Sequence, residues 1–405
     1  MRIIRVSDQG ILIQLMREIK VDPYGIEIML PKAINYVIKI NSLPSIQANI
    51  LKQEMLSLGG DVAVTRDALT GKAKQTDCLI IGSLSHYRAL SEKLKKQPFG
   101  LDRLSSGLSA LIANYQKDSF KLDLGRFRLT CLRGRTLICG IVNLTADSFS
   151  GDGLFRCQEK KFKSYDLGFI LDYVCRMVED GADMIDVGGE STRPGARPVP
   201  LREELCRTIP VIKMIAKKIK VPLSIDTYKP EVAESAIDCG ASLINDISGL
   251  RDHRMIKVAA SKKCGVVIMH CKGSPRTMQA KPRYGSLIEE IIAYLHKTII
   301  RAEAGGIAKN KIIVDPGIGF GKTVSHNLQI LKRLREFKVL GQPILVGPSR
   351  KSFIGKILDL PPAERLYGTI SASVLAANNG ADFLRVHDVK EIRQAISVAD
   401  SIDNA

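Results

Sequence analysis

The stretch ILVGPSRKSFIG, residues 344–355, joins an apolar run to a basic pair, Arg350 and Lys351, and then to a segment of helical character. Seven other apolar runs between residues 136 and 386 also end in polar residues that suit binding. Those polar residues are Asn143, Asp186, Asp226, Asn245 with Asp246, His270, Asp315 and His387. Eight short strands that alternate with helices over about 250 residues are typical of a (β/α)₈ barrel, whose site lies where the strands end.

The chain of 405 residues is longer than one barrel requires. We therefore predict an α/β protein in which a smaller N-terminal α/β module, residues 1–130, precedes a (β/α)₈ TIM barrel, residues 131–405. Residues 117–121 are predicted to connect the two parts. The N-terminal module shows no phosphate loop, metal pattern or nucleophile arrangement, so packing or oligomerisation is its simplest role. Its function stays unknown at this stage.

The formal net charge of +18 is spread along the chain rather than gathered in a basic block. Residues 1–130 hold 19 lysines and arginines against 12 aspartates and glutamates. A basic surface attracts acidic partners and suits an anionic substrate as readily as nucleic acid. Since no basic block is present, we predict small-molecule substrates and no nucleic-acid binding, and the absence of a long apolar run predicts no membrane insertion. Nine scattered cysteines without a Cys-x-x-Cys pair predict neither a disulfide framework nor a zinc site, and they fit a reducing cytoplasm.

Three polar residues at the predicted rim, Asp226, Asn245 and Asp315, are candidates for a heterocycle site. Side chains at strand ends of a barrel converge on one cavity although they are distant in sequence. Two carboxylates and an amide can pair with the polar edge of a flat ring that carries amino and amide groups. A lone aspartate more often caps a helix, but three together favour the site.

Other strand-end groups suit phosphate and a hard cation. Ser191, Thr192 and Arg193, in the glycine-rich stretch 188–195, offer donors to phosphate oxygens; the alternative is a solvated turn. Asn143 begins an oxygen-rich loop that could hold Mg²⁺, or simply form an Asx turn.

Arg385 and His387 alternate on the last predicted strand, so their side chains point the same way and suit a di-anionic group. A structural histidine beside a salt-bridged arginine is the alternative. Phe320, at the tip of the glycine-rich loop 315–322, is a candidate aromatic wall.

Eight motifs, in order and over essentially all of residues 131–405, resemble the motif series of dihydropteroate synthase. They are NLTADSFSGDG (143–153), DVGGESTRPG (186–195), SIDTYKP (224–230), NDISG (245–249), MHCKG (269–273), DPGIGFGK (315–322), GPSRKSFIG (347–355) and RVHDV (385–389). The resemblance does not extend to residues 1–130.

The resemblance implies a transferase of folate biosynthesis, a pterin-binding barrel that is the target of sulfonamides. Such an enzyme condenses 6-hydroxymethyl-7,8-dihydropterin pyrophosphate with para-aminobenzoate to 7,8-dihydropteroate and pyrophosphate. It also implies Mg²⁺ as the cofactor, a cytoplasmic homodimer, and electrostatic catalysis by Asn143, Arg385, His387 and Lys351. The implied binding residues are Asp226, Asn245, Asp315, Lys351 and Met269 for the pterin, Thr192, Arg193, Arg385 and His387 for pyrophosphate, Phe149, Pro194, Phe320 and Ser352 for para-aminobenzoate, and Asn143 for the metal.

The first loop departs from the family pattern. Ala146 replaces a proline, and Gly151-Asp152-Gly153 shifts the second acid of the loop by one place. Two alternatives to the synthase therefore stay open. One is a methyltetrahydrofolate:corrinoid methyltransferase, against which the phosphate-suited loops argue. The other is a non-catalytic pterin-binding protein.

Overall fold

A computed structural model describes residues 2–4, 9–145, 166–191, 196–273, 278 and 282–405. The chain divides into two compact units, Met1–Ala113 and Asn114–Ala405. The sequence places the boundary later, after residue 130. The difference corresponds to residues 114–130, which the structure assigns to the second unit.

The first unit contains an antiparallel sheet with the strand order β1-β3-β2 among its described residues. Its elements are α1 (Gln9–Glu18), α2 (Pro23–Ala33), β1 (Asn35–Pro44), α3 (Ser45–Ser57), β2 (Asp61–Val64), α4 (Arg66–Leu69), β3 (Gln75–Ser83), α5 (Leu84–Leu94) and α6 (Leu101–Tyr115), the last of which runs past the unit boundary. Leu51, Met55 and Ile80 are fully buried in its core. The hydroxyl of Tyr87 donates to the carbonyl of Ile80 at 2.8 Å, so the one polar group of this core aromatic is satisfied.

A β-hairpin opens the second unit, where the sequence analysis predicts a connection; that prediction is wrong from Ser119 onward. Its strands are β4 (Ser119–Leu124) and β5 (Phe127–Leu132), and they pair antiparallel. Apolar and polar residues alternate along β4, so Phe120, Leu122 and Leu124 are buried on one face.

The barrel of the second unit follows the predicted order of strands, and the predicted fold class is confirmed. Its strands are β6 (Leu137–Asn143), β7 (Met184–Gly188), β8 (Leu223–Asp226), β9 (Leu243–Asp246), β10 (Gly265–Met269), β11 (Ile312–Asp315), β12 (Leu345–Val346) and β13 (Phe383–Val386). Its helices are α7 (Leu167–Glu179), α8 (Leu201–Ile215), α9 (Pro230–Asp238), α10 (His253–Lys262), α11 (Leu287–Ala304), α12 (Val324–Lys332), α13 (Ser352–Leu358), α14 (Leu366–Asn378) and α15 (Val389–Asp403). The strands pair in parallel in the order β12-β13-β6-β7-β8-β9-β10-β11. A parallel bridge between Val314, in β11, and Ile344, just before β12, closes the ring.

The hairpin covers the end of the barrel at which the strands begin. Its buried residues form one hydrophobic cluster with interior residues of the barrel strands, here called the floor cluster. The floor cluster consists of Phe120, Leu122, Leu124, Cys131, Leu137, Cys139, Met184, Leu243, Val267, Ile313, Leu345 and Phe383. Side chains two residues apart on a strand share a face. The interior residues two positions after the floor cluster therefore form the next layer, toward the carboxyl ends of the strands.

Candidate active site

The layer above the floor cluster carries one part of the predicted site. On five strands, the residue two positions after a member of the floor cluster is a candidate ligand-binding residue. These residues are Asp186, Asn245, Met269, Asp315 and Arg385. The strand register supports the same layer, because Asp226 pairs with Asn245 and Met269 pairs with Asp315. The alternation along each strand thus brings residues from across the sequence to one level.

Arg385 connects two of the acids. Its Nε donates to Oδ2 of Asp186 at 2.6 Å, and one terminal nitrogen donates to Oδ2 of Asp226 at 2.7 Å. The amide nitrogen of Asn245 donates to the same oxygen of Asp186 at 3.0 Å. The guanidinium therefore holds two carboxylates at fixed positions, which is the geometry that suits its fork of donors.

Each of these two carboxylates keeps a second oxygen without a partner. Oδ1 of Asp186 and Oδ1 of Asp226 are buried and have no hydrogen-bond partner among the described residues, and the same holds for the hydroxyl oxygen of Ser224. A buried polar atom without a partner typically costs 1–3 kcal/mol, so native proteins rarely leave several together unless a ligand completes them. These oxygens are the acceptors that a ligand with N–H groups would use.

Burial also shifts the protonation of the site acids. Burial raises the pKa of Asp226 to about 7, with Asp186 and Glu204 adding to the rise and Arg385 and Lys351 opposing it. Burial raises the pKa of Asp315 to about 6, against the opposing effects of the Gly317 N–H, Lys351, Lys322 and Arg385. Lys351 and Arg385 act on both acids, so the two carboxyl groups belong to one electrostatic site.

Asn143 and His387 lie together at a second part of the rim. The amide nitrogen of Asn143 is 3.3 Å from Nε2 of His387, and the hydroxyl oxygen of Ser349 is 2.9 Å from Nδ1 of the same ring. Ser349 also accepts the backbone N–H of His387 at 3.2 Å. The imidazole is therefore held on both sides, and Ser349 is a site residue that the sequence analysis does not select.

The two basic residues of the stretch 344–355, Arg350 and Lys351, have different contacts. Arg350 forms an ion pair with Asp388, and its backbone N–H donates to the hydroxyl of Thr369 at 3.0 Å. Lys351 instead lies with its ammonium 4.3 Å from the centre of the Phe320 ring. Ser352, predicted to contact para-aminobenzoate, is the first residue of α13.

Phe320 is part of a small apolar cluster at the same rim. The cluster consists of Ile247, Met269, Cys271, Met278 and Phe320, with Tyr228 packed against it. Lys351 above one face of Phe320 and apolar side chains beside it form a surface suited to flat rings. The predicted pterin residue Met269 and the predicted benzoate residue Phe320 are thus brought into one cluster.

Four predicted residues, Phe149, Thr192, Arg193 and Pro194, lie outside the described residues, as do Ala146 and the stretch 151–153. The described residue Glu190 precedes three of them and belongs to a buried charge network. Its carboxylate accepts the Tyr228 hydroxyl at 2.8 Å and pairs with Lys229, which also pairs with Glu204.

Two buried charged residues of the site receive no specific role in the sequence analysis. Asp186 is named there as a strand-end residue that suits binding, on the same signal as Asp226, an acid directly after an apolar run. Lys322 ends a quoted motif, but its burial to 3% exposure follows only from the fold. Its ammonium contacts His270.

The structure offers no preformed metal cage and no membrane span within its described part. No group of three or more histidine, cysteine, aspartate or glutamate side chains is arranged to hold a metal ion in the described ranges. Among the same residues, no helix combines the length and the apolar character that crossing a bilayer requires.

Comparisons with known proteins agree with the geometry. The family model described as "Pterin binding enzyme" matches residues 139–387. A dihydropteroate synthase of Synechocystis is 46% identical over 270 residues, which cover 66% of this chain and 90% of that protein. The structure of Xanthomonas albilineans dihydropteroate synthase with 4-aminobenzoic acid superimposes with a TM-score of 0.64 at 39% identity, covering 71% of this chain and 99% of that one.

One relative extends the similarity beyond the barrel. A probable bifunctional folylpolyglutamate synthase/dihydropteroate synthase of Halobacterium salinarum is 38% identical over 391 residues. The match covers 94% of this chain and 44% of that protein. The first unit therefore has sequence counterparts of its own, in a protein that carries further sequence outside the match.

Proposed function

This chain belongs to the dihydropteroate synthase family of pterin-binding enzymes, and from that membership we propose its reaction. The enzyme condenses 6-hydroxymethyl-7,8-dihydropterin pyrophosphate with para-aminobenzoate and releases 7,8-dihydropteroate and pyrophosphate. The observation that carries this function is the pair of buried carboxylate oxygens on Asp186 and Asp226 that lack partners. These oxygens can accept hydrogen bonds from N–H groups, and the polar edge of a pterin supplies such groups.

The pterin is bound through its amino and amide groups by Asp226, Asn245 and Asp315, with Lys351 close to both acids. Ionised carboxylates make the stronger hydrogen bonds to N–H donors. Binding therefore favours the charged forms of Asp226 and Asp315, against the burial that raises their pKa values. Met269 and Phe320 supply apolar contact to the rings.

The pyrophosphate end of the substrate lies in this proposal near Asn143 and His387, with Thr192 and Arg193 as further ligands. Arg385 forms ion pairs with both Asp186 and Asp226. In this proposal its main role is to hold these two acids in place, and its positive charge remains near the leaving group.

Mg²⁺ is the proposed cofactor. The amide nitrogen of Asn143 lies toward His387, so its carbonyl oxygen is the group offered to a cation. A single protein oxygen suits Mg²⁺, which keeps several waters and takes its remaining ligands from substrate phosphates. When bound, the ion neutralises charge on the departing pyrophosphate.

The reaction breaks the bond between the methylene carbon of the pterin and the pyrophosphate oxygen. The arylamine nitrogen of para-aminobenzoate forms the new bond to that carbon and then loses one proton. An arylamine is uncharged near neutral pH, so no strong base is required. His387 and Lys351 stabilise the charge that develops on the leaving group, and Phe320, with Phe149, Pro194 and Ser352, lines the benzoate side.

We also propose that the enzyme acts in the cytoplasm as a homodimer and that sulfonamides compete with para-aminobenzoate. The eight described cysteines are free, which fits a reducing compartment. The oligomeric state is measured by sedimentation or light scattering of the full chain.

The experiment that tests the function mixes the full-length protein with Mg²⁺, the pterin pyrophosphate and para-aminobenzoate, and follows pyrophosphate release. We expect release that depends on para-aminobenzoate, with dihydropteroate appearing in equal amount. Pterin binding without turnover would instead identify a non-catalytic pterin-binding protein. Absence of pterin binding would refute the assignment of the site.

A further inference from the structure

Lys322 is a buried ammonium that the reaction described above does not use. It follows the loop after β11, and 3% of its surface is exposed. Its Nζ lies 3.0 Å from Nδ1 of His270, 3.3 Å from the carbonyl oxygen of His270 and 3.1 Å from the carbonyl oxygen of Phe320. An ammonium has three N–H donors, and these contacts supply three acceptors.

Burial shifts the protonation equilibria of both partners. Burial, with Lys322 as the next cause, lowers the pKa of His270 to about 3, so the imidazole is neutral and Nδ1 can accept. The His270 ring is fixed further by Tyr294, whose ring lies edge-on at 5.0 Å between centroids. Burial also lowers the pKa of Lys322 to about 7, whereas Cys271 and Asp315 favour its charged form.

The contacts of Lys322 join two loops of the rim. His270 directly follows β10, whereas Phe320 belongs to the loop that begins at Asp315 and ends at Lys322. The loop lies so close to the chain after β10 that a Cβ on Gly317 would be 2.0 Å from the carbonyl oxygen of His270. The left-handed φ of +75° at Gly317 also favours glycine there.

This loop carries two proposed substrate contacts at its ends. Asp315 accepts the Gly317 N–H at 2.6 Å, and the ring of Phe320 lies beneath Lys351. We propose that Lys322 is a positioning residue of the reaction, which ties this loop to the end of β10 and so fixes Asp315 and Phe320 relative to each other before substrate binds. The proposal rests on the proposed function, because it assigns these two residues to the two substrates.

The chain offers a control lysine at the other end of β11. Lys311 immediately precedes β11, is 9% exposed, and contacts Asp123 through the backbone oxygen at 2.8 Å and the carboxylate at 3.3 Å. Its substitution removes a buried lysine beside the hairpin and away from the rim. The test compares Lys322→Met with Lys311→Met in the full-length protein.

Both variants are measured by urea unfolding and by steady-state kinetics with each substrate varied in turn. We expect both to lose stability, but only Lys322→Met to lose kcat/KM, by about 100-fold for both substrates, because small displacements of positioning groups have effects of that order. Lys311→Met should retain a kcat/KM close to that of the wild type, because it leaves the site geometry intact. Equal kinetics for the two variants would overturn the proposal.

Two further arms keep the outcome decisive. If Lys322→Met does not fold, His270→Phe is the second variant, because it keeps a ring against Tyr294 while removing the Nδ1 acceptor. It should lower kcat/KM, whereas Lys311→Met should not. Unchanged kinetics in that variant would refute the proposal. If the wild-type protein turns over no substrate, the proposed function fails, and the dissociation constant of the pterin pyrophosphate alone then decides whether Lys322 positions the site.

Discussion

The two ends of the barrel are built from the same eight strands but handle polar groups in opposite ways. At the end where the strands begin, the hairpin residues Phe120, Leu122 and Leu124 fill the interior with apolar side chains. At the other end, only two residues further along the strands, the buried Asp186 and Asp226 form a charged network with the half-buried Arg385. The first end has the composition of a core, and the second has the composition of a binding site.

The difference shows that stability and chemistry are separated along the barrel axis. Ion pairs occur at both ends: Asp183, which immediately precedes β7, pairs with Arg135 and Arg393. Both oxygens of Asp183 are engaged, since Oδ2 also accepts the backbone N–H of Ile138 at 2.8 Å. At the rim, Asp186 and Asp226 each keep one oxygen without a partner among the described residues, and this distinguishes a binding group from a structural one.

The largest expected effect compares acids at the two ends. Asp226→Asn removes a charged acceptor and one of the two partners of Arg385. We expect kcat/KM for the pterin pyrophosphate to fall by about 100-fold, because hydrogen bonds to charged groups contribute up to about 3 kcal/mol. Asp183→Asn is the control, with lower stability and a kcat/KM close to that of the wild type. Similar kinetic losses in both variants would contradict the separation of the two ends.

The next effect tests the floor cluster directly. Leu122→Ala removes a side chain that is 2% exposed among the interior residues of the barrel. We expect the free energy of unfolding to fall by about 3 kcal/mol, the usual cost of such a cavity. Under conditions where the variant remains folded, kcat/KM should match that of the wild type. Denaturant unfolding and steady-state kinetics give the two quantities, and a large kinetic loss would show that the hairpin shapes the site.

A moderate effect is expected from pH. In the protein without substrate, the pKa of Asp226 is raised to about 7, and pterin binding favours the charged form of this acid. We therefore expect kcat/KM to fall by about tenfold when the pH is lowered from 8 to 6. The raised pKa also means that the folded protein binds this proton more tightly than the unfolded chain. This acid's contribution to stability therefore decreases as the pH rises from about 4 to about 7.

A control for the pH experiment lies at the opposite end of the barrel. Burial raises the pKa of Asp382, just before β13, to about 6. Asp382→Asn should change the dependence of stability on pH but leave the pH profile of kcat/KM as in the wild type. If instead the kinetic profile shifts with this variant, the titration seen in kcat/KM does not belong to the rim.

The smallest effect concerns the proposed metal. Asn143→Ala removes one oxygen ligand from an ion that takes most of its ligands from water and phosphate. We expect a several-fold rise in the Mg²⁺ concentration that gives half-maximal rate, with little change in the rate at saturating Mg²⁺. A titration of Mg²⁺ under fixed substrate concentrations measures it. An unchanged requirement would remove Asn143 from the metal site.

The strands of the barrel could be predicted because each is an apolar run that ends in a polar residue. The hairpin carried an equally regular signal, since Phe120, Leu122 and Leu124 alternate with polar residues. The sequence analysis does not predict it, because residues 117–121 also have the position of a connection between two parts. The alternation indicates a strand with one buried face, but what that face packs against becomes apparent only in the folded barrel, whose end the hairpin covers.

The site was only partly predictable for a different reason. Asp226, Asn245 and Asp315 stand at strand ends, so the sequence identifies them singly. The pairing of Arg385 with Asp186 joins residues 199 positions apart, and it follows from strand register, which a single sequence does not specify. The three contacts of Lys322 likewise depend on two loops that meet only in the folded barrel.

The early position of the hairpin in the sequence has a consequence for folding during synthesis. The last residue of the hairpin, Leu132, leaves the ribosome before any barrel strand, whereas Phe383 of the floor cluster is made about 250 residues later. At translation rates of about 5–20 residues per second, tens of seconds separate the hairpin from its final partners. During that interval Phe120 and Leu122 lack part of their cover. The nascent chain therefore presents an apolar surface that a ribosome-associated chaperone could shield until the barrel closes.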